Sequence, residues 1–218
     1  MFRYQILIEY VGTNFRGWQG QKKGKTIQGL IQDKISKLLK EKIILFGSGR
    51  TDTGVNAIEQ SAHFDCKKKI SQKDRFLKSI NYFLNKEGVS ILKIRKRSNN
   101  FHARFSAKIR VYKYVIVNRL SSPVLDKNRS WHVIKKLDLN IMKNGAKKLE
   151  GTKDFSTFRA SSCRAKSPIK TMKQVKVKAL KEKIIIEFRS QSFLQQQVRS
   201  MVGCLKYLGE KKWSLNKF

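Results

Sequence analysis

The order of strand-like and helix-like patterns is the feature that most constrains the fold of this chain. In the first half, apolar residues alternate in four short stretches and recur at helical spacing in two longer ones. The predicted elements are strands at about 2–10, 42–48, 58–66 and 89–96 and helices at about 27–40 and 72–85. The resulting order, β-α-β-β-α-β, is the ferredoxin-like arrangement, in which one sheet carries two helices on one face.

Both predicted helices begin at capping signals. Thr26 comes directly before the apolar face of the first helix, and its hydroxyl is expected to cap that helix. Ser71 and Asp74 have the spacing of a capping pair at the start of the second helix. The sequence therefore predicts where each helix starts.

The second half has a similar but incomplete pattern. Its predicted elements are strands at about 109–117, 130–134, 172–180 and 183–189 and helices at about 139–149 and 192–208, with a long polar loop between the first helix and the third strand. A repeat of the first half needs a closing strand after the last helix, but the sequence stops at Phe218. We therefore expect a C-terminal truncation or an unusually short chain, with halves at residues 1–105 and 106–218.

The formal charge of +34, from 49 Lys and Arg against 15 Asp and Glu, predicts a polyanionic partner such as nucleic acid. A lysine-rich proteome is the alternative source of this charge. No apolar run approaches the roughly 20 residues that span a bilayer, and the N-terminus alternates like a strand, so we expect a cytoplasmic protein. The cysteines and histidines are too scattered to indicate a disulfide framework or a zinc site: Cys66, Cys163, Cys204, His63, His102 and His132.

Residues 47–57 give the densest functional signal. Three glycines surround Asp52 between two predicted strands, and glycine lets a backbone turn tightly and approach a ligand closely. Asp52 alone would more often be a turn residue that binds nearby backbone amides. The neighbouring Arg50 favours a catalytic interpretation, because a carboxylate that attacks carbon must stay ionised and a guanidinium stabilises that charge.

Two further segments combine cations with aromatic rings. His102 and Arg104 lie within residues 101–107, and Arg110 and Tyr112 alternate on the predicted strand that follows. Cations beside aromatic faces suit the stacking of a base and the binding of its phosphate, so all four are candidates for binding RNA. For Tyr112 core packing is an equal alternative, because strand alternation places it on the same face as apolar neighbours.

Taken in order, these segments resemble the tRNA pseudouridine synthase A family. The similar segments, which extend over nearly the entire chain, are Arg50-Thr51-Asp52, residues 101–107, Arg110-x-Tyr112-x-Tyr114, residues 151–158 and residues 193–203. The resemblance implies the α+β pseudouridine synthase fold. In that fold two ferredoxin-like (RRM-like) halves form one continuous, mostly antiparallel sheet with the helices on one face.

The resemblance also implies roles for the candidate residues. Asp52 is then the catalytic nucleophile, and Tyr112 is the ring that stacks on the target base. Arg199, which at the edge of a helical apolar stripe would otherwise be read as a solvated surface residue, becomes the basic partner of Asp52. Arg50 is expected to help hold the displaced nucleotide.

The implied activity is the isomerisation of uridine to pseudouridine at positions 38, 39 and 40 in the anticodon arm of tRNA. The resemblance further implies a homodimer and a reaction without a metal or other cofactor. Asp52 could attack the ribose C1′, add to C6 of the base or remove the C2′ proton, and the sequence leaves these roles open. A non-catalytic RNA-binding protein of ribosomal type is the alternative. A metal-dependent nuclease is less favoured, because only Glu59 lies near Asp52 in sequence.

Overall fold

A computed structural model describes residues 1–21 and 23–218, and the chain divides into two compact units. Unit 1 comprises Met1–Ala107, and unit 2 comprises Lys108–Phe218. The described strands and helices confirm the mixed α+β class. The hydrogen-bonded ladders of the described strands form two sheets, one in each unit. After the last strand of unit 1, the chain turns back at residues 98–101, which are held by side-chain contacts and not by a ladder.

Unit 1 has the predicted ferredoxin-like topology. Its elements are β1 Phe2–Tyr10, α1 Ile27–Leu39, β2 Phe46–Gly47, β3 Ala57–Cys66, α2 Lys73–Leu84 and β4 Val89–Arg97. The strand order is β2-β3-β1-β4, and each neighbouring pair is antiparallel. Since β3 lies between β1 and β2, and β1 lies between β3 and β4, the two split β-α-β units interleave.

The core of unit 1 lies between its sheet and both helices. Alternate residues of β1 point into it, and the apolar stripes of α1 and α2 join the same cluster. Its central members are Tyr4, Ile6, Ile8, Tyr10, Ile27, Ile31, Ile35, Phe76, Ile80 and Leu84. Both helices therefore pack on one face, as the sequence predicted.

The two capping predictions have different outcomes. The Thr26 hydroxyl accepts a hydrogen bond from the Gly29 amide at 3.2 Å, which confirms the cap of α1. For α2 the prediction is wrong, because the N-cap is Gln72 and no side chain caps it. With the helix starting one residue late, Asp74 lies too early in the first turn to complete a capping box with Ser71. The negative charge of Asp74 still stabilises the N-terminus of α2 through the helix dipole.

The strand predicted at about 42–48 shortens to Phe46–Gly47. The Ile43 amide donates to the Ser36 hydroxyl at 3.0 Å, and the Leu45 amide donates to Gln32 Oε1 at 3.0 Å. Side chains of α1 therefore take the backbone donors that a ladder would need. Ile43 and Leu45 are nevertheless buried in the core, whereas Ile44 between them is exposed, and this alternation explains the strand-like pattern.

Unit 2 contains a sheet of five strands covered by two helices. Its elements are β5 Arg110–Asn118, β6 Trp131–Val133, α3 Leu139–Lys148, β7 Gly151–Asp154, β8 Ile169–Leu180, β9 Lys183–Ser190 and α4 Gln197–Gly209. The strand order is β6-β5-β9-β8-β7, with a parallel pair between β5 and β6 and antiparallel pairs elsewhere. Both helices contribute to a single apolar cluster over the sheet.

Two elements of unit 2 differ from their predictions. Strand β7 falls in the segment that was expected to be a polar loop, and all four of its residues are exposed, so it leaves no alternation to detect. Helix α4 begins at Gln197 instead of about 192. The cause is Gln196, whose φ of 60° lies in the left-handed region and cannot continue a right-handed helix.

The residues that follow β4 are attached to the sheet of unit 1 by Arg3. The Arg3 guanidinium donates to both carboxylate oxygens of Asp65, at 2.8 and 2.7 Å. Its remaining nitrogen donates to the carbonyls of Asn99 and Phe101, at 2.5 and 2.8 Å. The hydrogen bond from Arg3 holds the pKa of Asp65 below its usual value. One side chain thus links β1, β3 and the turn after β4.

His63 makes a second attachment from the same face of β3. Its ring is 1% exposed, and its Nδ1 accepts a hydrogen bond from the Ala103 amide at 3.2 Å. Burial lowers the pKa of His63 to about 4, and the nearby charges of His102 and Arg3 act in the same direction. Asp65 and a hydrogen bond to the Phe46 backbone oppose this shift without reversing it. The imidazole is therefore neutral at pH 7 and available as an acceptor.

This burial predicts a pH-dependent contribution to stability. Since the folded pKa is depressed, the unfolded chain binds the proton more readily, and stability is lost as the pH falls from about 6.5 to about 4. His63→Gln keeps an acceptor and a donor but does not titrate in this range. We expect the free energy of unfolding of the wild type to fall by about 2–3 kcal/mol relative to this variant. Urea unfolding of both chains at each pH measures it, and parallel pH profiles would contradict the prediction.

Candidate active site

The loop that carries Asp52 joins β2 to β3 and is attached on both sides of that residue. The Thr51 hydroxyl lies 2.8 Å from the Tyr10 hydroxyl, and the Thr51 carbonyl accepts from the Trp18 amide at 3.0 Å. Beyond Asp52, the Asn56 side chain accepts from the Gly12 amide at 2.8 Å. These bonds attach the loop to β1 and to the segment that follows it.

Segment 12–18 is a part of the site that the sequence analysis missed. A Cβ added to Gly17 would lie 2.6 Å from the Thr51 carbonyl oxygen, closer than real Cβ atoms come, and Gly17 also has a φ of +78°. A Cβ added to Gly12 would likewise come too close to the backbone of Val55. Only glycine permits this approach of two backbones. The sequence feature that could have indicated this segment is the pair of glycines on either side of a short stretch after the first strand.

The structure places the two predicted catalytic-loop residues differently with respect to solvent. Asp52 is half-buried, and its backbone carbonyl accepts from the Val55 amide at 3.2 Å, which closes a turn directly after the aspartate. Arg50 is exposed at the start of the loop. The carboxylate of Asp52 is thus carried by a fixed turn, and the cation two residues earlier faces solvent.

The turn at Phe101–Ser106 carries the predicted residues His102 and Arg104. The Ser106 amide donates to the His102 carbonyl at 2.8 Å, and the His102 amide donates to the Ser106 hydroxyl at 3.0 Å. His102 Nδ1 in turn accepts from the Arg104 amide at 3.2 Å. These reciprocal bonds fix the turn.

His63 connects this turn with the start of the Asp52 loop. Its ring lies 4.7 Å from the ring of His102 and 5.1 Å from that of Phe46, and it is hydrogen-bonded to the backbone of both Ala103 and Phe46. Phe46 is the residue from which the glycine-rich loop departs. The structure therefore brings His102 and Arg104 to the same region of unit 1 as Phe46, where the Asp52 loop begins.

The remaining predicted residues lie in unit 2. Arg110 and Tyr112 are on β5, where Arg110 donates a hydrogen bond to the Gln191 carbonyl. The ring of Tyr112 is half-buried and lies 4.9 Å from the ring of Phe193 in an edge-to-face contact. Arg199 is exposed on α4. Tyr112 therefore packs partly on the core and keeps part of its ring accessible.

Arg199 also influences the titration of Tyr114 on β5. Burial raises the pKa of Tyr114, and the charge of Arg199 acts in the opposite direction.

Neither a metal centre nor a membrane span emerges from the described residues. Within residues 1–21 and 23–218, no three His, Cys, Asp or Glu side chains are grouped so that they could hold a metal ion. In the same ranges no helix combines the length and apolar character needed to cross a membrane.

Comparison with known proteins gives consistent matches. A family model described as tRNA pseudouridine synthase matches residues 6–106 and 146–218, which include the Asp52 loop, the turn at Phe101–Ser106 and α4. The tRNA pseudouridine synthase A of Pelagibacter ubique (strain HTCC1062) is 70% identical over 218 residues, or 100% of this chain and 89% of the relative. That of Paramagnetospirillum magneticum (strain ATCC 700264 / AMB-1) is 45% identical over 214 residues, or 98% of this chain and 83% of the relative. The matched residues and these identities establish that the chain belongs to the tRNA pseudouridine synthase family.

Proposed function

We propose that this chain is an isomerase, an intramolecular transferase that converts uridine to pseudouridine at positions 38, 39 and 40 in the anticodon arm of tRNA. The observation that supports it most is the loop that carries Asp52, which is attached on both sides and falls within the matched residues. Relatives that are 70% and 45% identical are named tRNA pseudouridine synthase A. The three nucleotide positions rest on the resemblance of the sequence motifs to that family.

The proposed reaction requires a carboxylate in a fixed position. The bond between the ribose C1′ and N1 of uracil breaks, the base turns, and C1′ joins C5, while C5 loses a proton and N1 gains one. Atoms and electrons balance within the nucleotide. In this proposal Asp52 is the nucleophile, and its placement on a closed turn lowers the entropic cost of meeting the reacting atom.

The other candidate residues act on the nucleotide or on Asp52. Tyr112 stacks on the displaced base through the accessible part of its ring, and Arg50, which is exposed, holds the nucleotide backbone. We propose Arg199 as the basic partner of Asp52, because a carboxylate in a base-sized pocket needs a cation to stay charged. The fork of a guanidinium suits this role better than a lysine ammonium.

Binding of tRNA follows from the charge of the chain. With 49 basic and 15 acidic side chains, most cations have no carboxylate to pair with, and phosphate groups relieve their repulsion. His102, Arg104 and Arg110 are proposed as further RNA-binding residues. We also propose that the protein acts in the cytoplasm as a homodimer that holds one tRNA across both subunits.

The competing function is a non-catalytic protein that binds structured RNA, and Asp52→Asn separates the two. We expect this variant to lose pseudouridine formation while its affinity for tRNA stays within about tenfold of the wild type, or about 1.4 kcal/mol, because one acid contributes little to phosphate binding. Glu59→Gln removes an exposed carboxylate seven residues away on β3 and is the matched control. Tritium release from tRNA labelled at C5 of uridine measures turnover. Full turnover by Asp52→Asn would remove Asp52 from the mechanism.

Tyr112 provides a second prediction, because its ring and its hydroxyl can be separated. Tyr112→Phe keeps the π face and should bind tRNA as the wild type does, whereas Tyr112→Ala should lose roughly 1–3 kcal/mol of stacking. The loss of packing on Phe193 is followed separately by thermal unfolding. The control is Tyr82→Ala, an exposed tyrosine on α2. If Tyr112→Ala binds tRNA as tightly as the wild type, the ring belongs to the core alone.

A further inference from the structure

Phe105 is an exposed aromatic ring mounted on a rigid support. Its side chain is 75% exposed, yet its ring lies 4.5 Å from the ring of His102 at an interplanar angle of 36°. The Arg104 guanidinium lies 5.8 Å from the centre of the same ring. Single exposed apolar residues are common on protein surfaces, so the exposure of Phe105 needs a second observation to carry meaning.

The second observation is the support beneath the ring. His102 rests on the buried His63 at 4.7 Å, and the turn that carries both His102 and Phe105 is closed by the two hydrogen bonds between His102 and Ser106. The Arg3 guanidinium, itself bound to Asp65, holds the carbonyls at the start of this turn. The backbone that carries the exposed ring is therefore fixed when unit 1 folds, which lowers the cost of ordering the ring when a ligand stacks on it.

The surroundings of Phe105 have the chemistry of a nucleotide site. Besides Arg104, the guanidinium of Arg97 lies 5.0 Å from the ring of Phe101 at the start of the same turn. Aromatic faces flanked by arginine are suited to an unpaired base, since the ring stacks on the base and the cations attract its phosphate. An apolar peptide would find only the rings of Phe105 and the less exposed Phe46, in a basic environment, which is a poor match.

We infer that Phe105 is a stacking residue for an unpaired base of the RNA substrate, at a position separate in sequence and in structural unit from Tyr112. This inference rests on the proposed function, because it takes tRNA as the partner. The Phe101–Ser106 turn then has a role in RNA binding. It holds a nucleotide that lies next to the reacting nucleotide or in a neighbouring loop of the RNA. His63 and Arg3 are then the residues that position the turn.

The test compares variants that keep or remove the ring, using an unmodified tRNA transcript as the probe. Phe105→Leu should weaken tRNA binding about 5- to 100-fold, as expected for the loss of one base–aromatic stack. Phe105→Trp should bind within about twofold of the wild type, and its added indole emission should be quenched by tRNA. Phe83→Leu, which changes a phenylalanine of unit 1 that is 48% exposed on α2, is the matched control and should leave binding unchanged.

Two results would overturn the inference. Binding by Phe105→Leu within twofold of the wild type would show that no base stacks there, and equal losses in the Leu and Trp variants would show that the ring itself is not what binds. Pseudouridine formation by the wild-type chain is measured in parallel. If the wild type forms pseudouridine but Phe105→Leu binds normally, the stacking role fails and the proposed function stands. If the wild type forms none, the proposed function fails.

Discussion

The position of Asp52 depends on the close contact between the backbone of its loop and the backbone of segment 12–18. Gly12 and Gly17 allow this contact, since a side chain at either position would collide with a carbonyl of the loop. Tyr10 and Trp18 then bind Thr51, the residue next to Asp52. A carboxylate on a long glycine-rich loop would otherwise be mobile. The pairing of two loops converts this flexible segment into a fixed turn between β2 and β3.

A second set of contacts begins near Phe46, the residue from which the Asp52 loop departs. His63 is neutral because it is buried, and as a neutral ring it can bond to the backbones of Phe46 and Ala103. The loop of Asp52 and the turn of Phe105 thus share one support. Arg3, held by Asp65, also attaches the start of this turn to the sheet of unit 1, in this case through a charged guanidinium. Over the whole chain, the excess of 49 Lys and Arg over 15 Asp and Glu favours contact with phosphate.

Elements with a clear apolar period could be predicted from the sequence, and contacts that depend on tertiary geometry could not. The β1 strand, α1 with its Thr26 cap and the ferredoxin-like order of unit 1 were predicted because alternation and capping are local signals. The strand at 42–48 was overpredicted, because Ser36 and Gln32 bind its amides, and the exposed β7 strand has no apolar pattern. His63 could not be found as a positioning residue, since a single histidine in a strand carries no information about its partners. The motif around Asp52 was recognised, but Gly12 and Gly17 gain their meaning only once the two loops meet.

The proposed isomerase activity is tested most directly by mapping pseudouridine in a tRNA transcript that has uridine at positions 38, 39 and 40, after incubation with the purified wild-type chain. Mass spectrometry of nuclease fragments, following chemical labelling of pseudouridine, identifies each modified position. We expect pseudouridine at these positions and none at uridines elsewhere, and a transcript with cytidine at all three should stay unmodified. A chain that binds the transcript tightly but forms no pseudouridine at any position would contradict the proposed activity and would favour the non-catalytic RNA-binding protein.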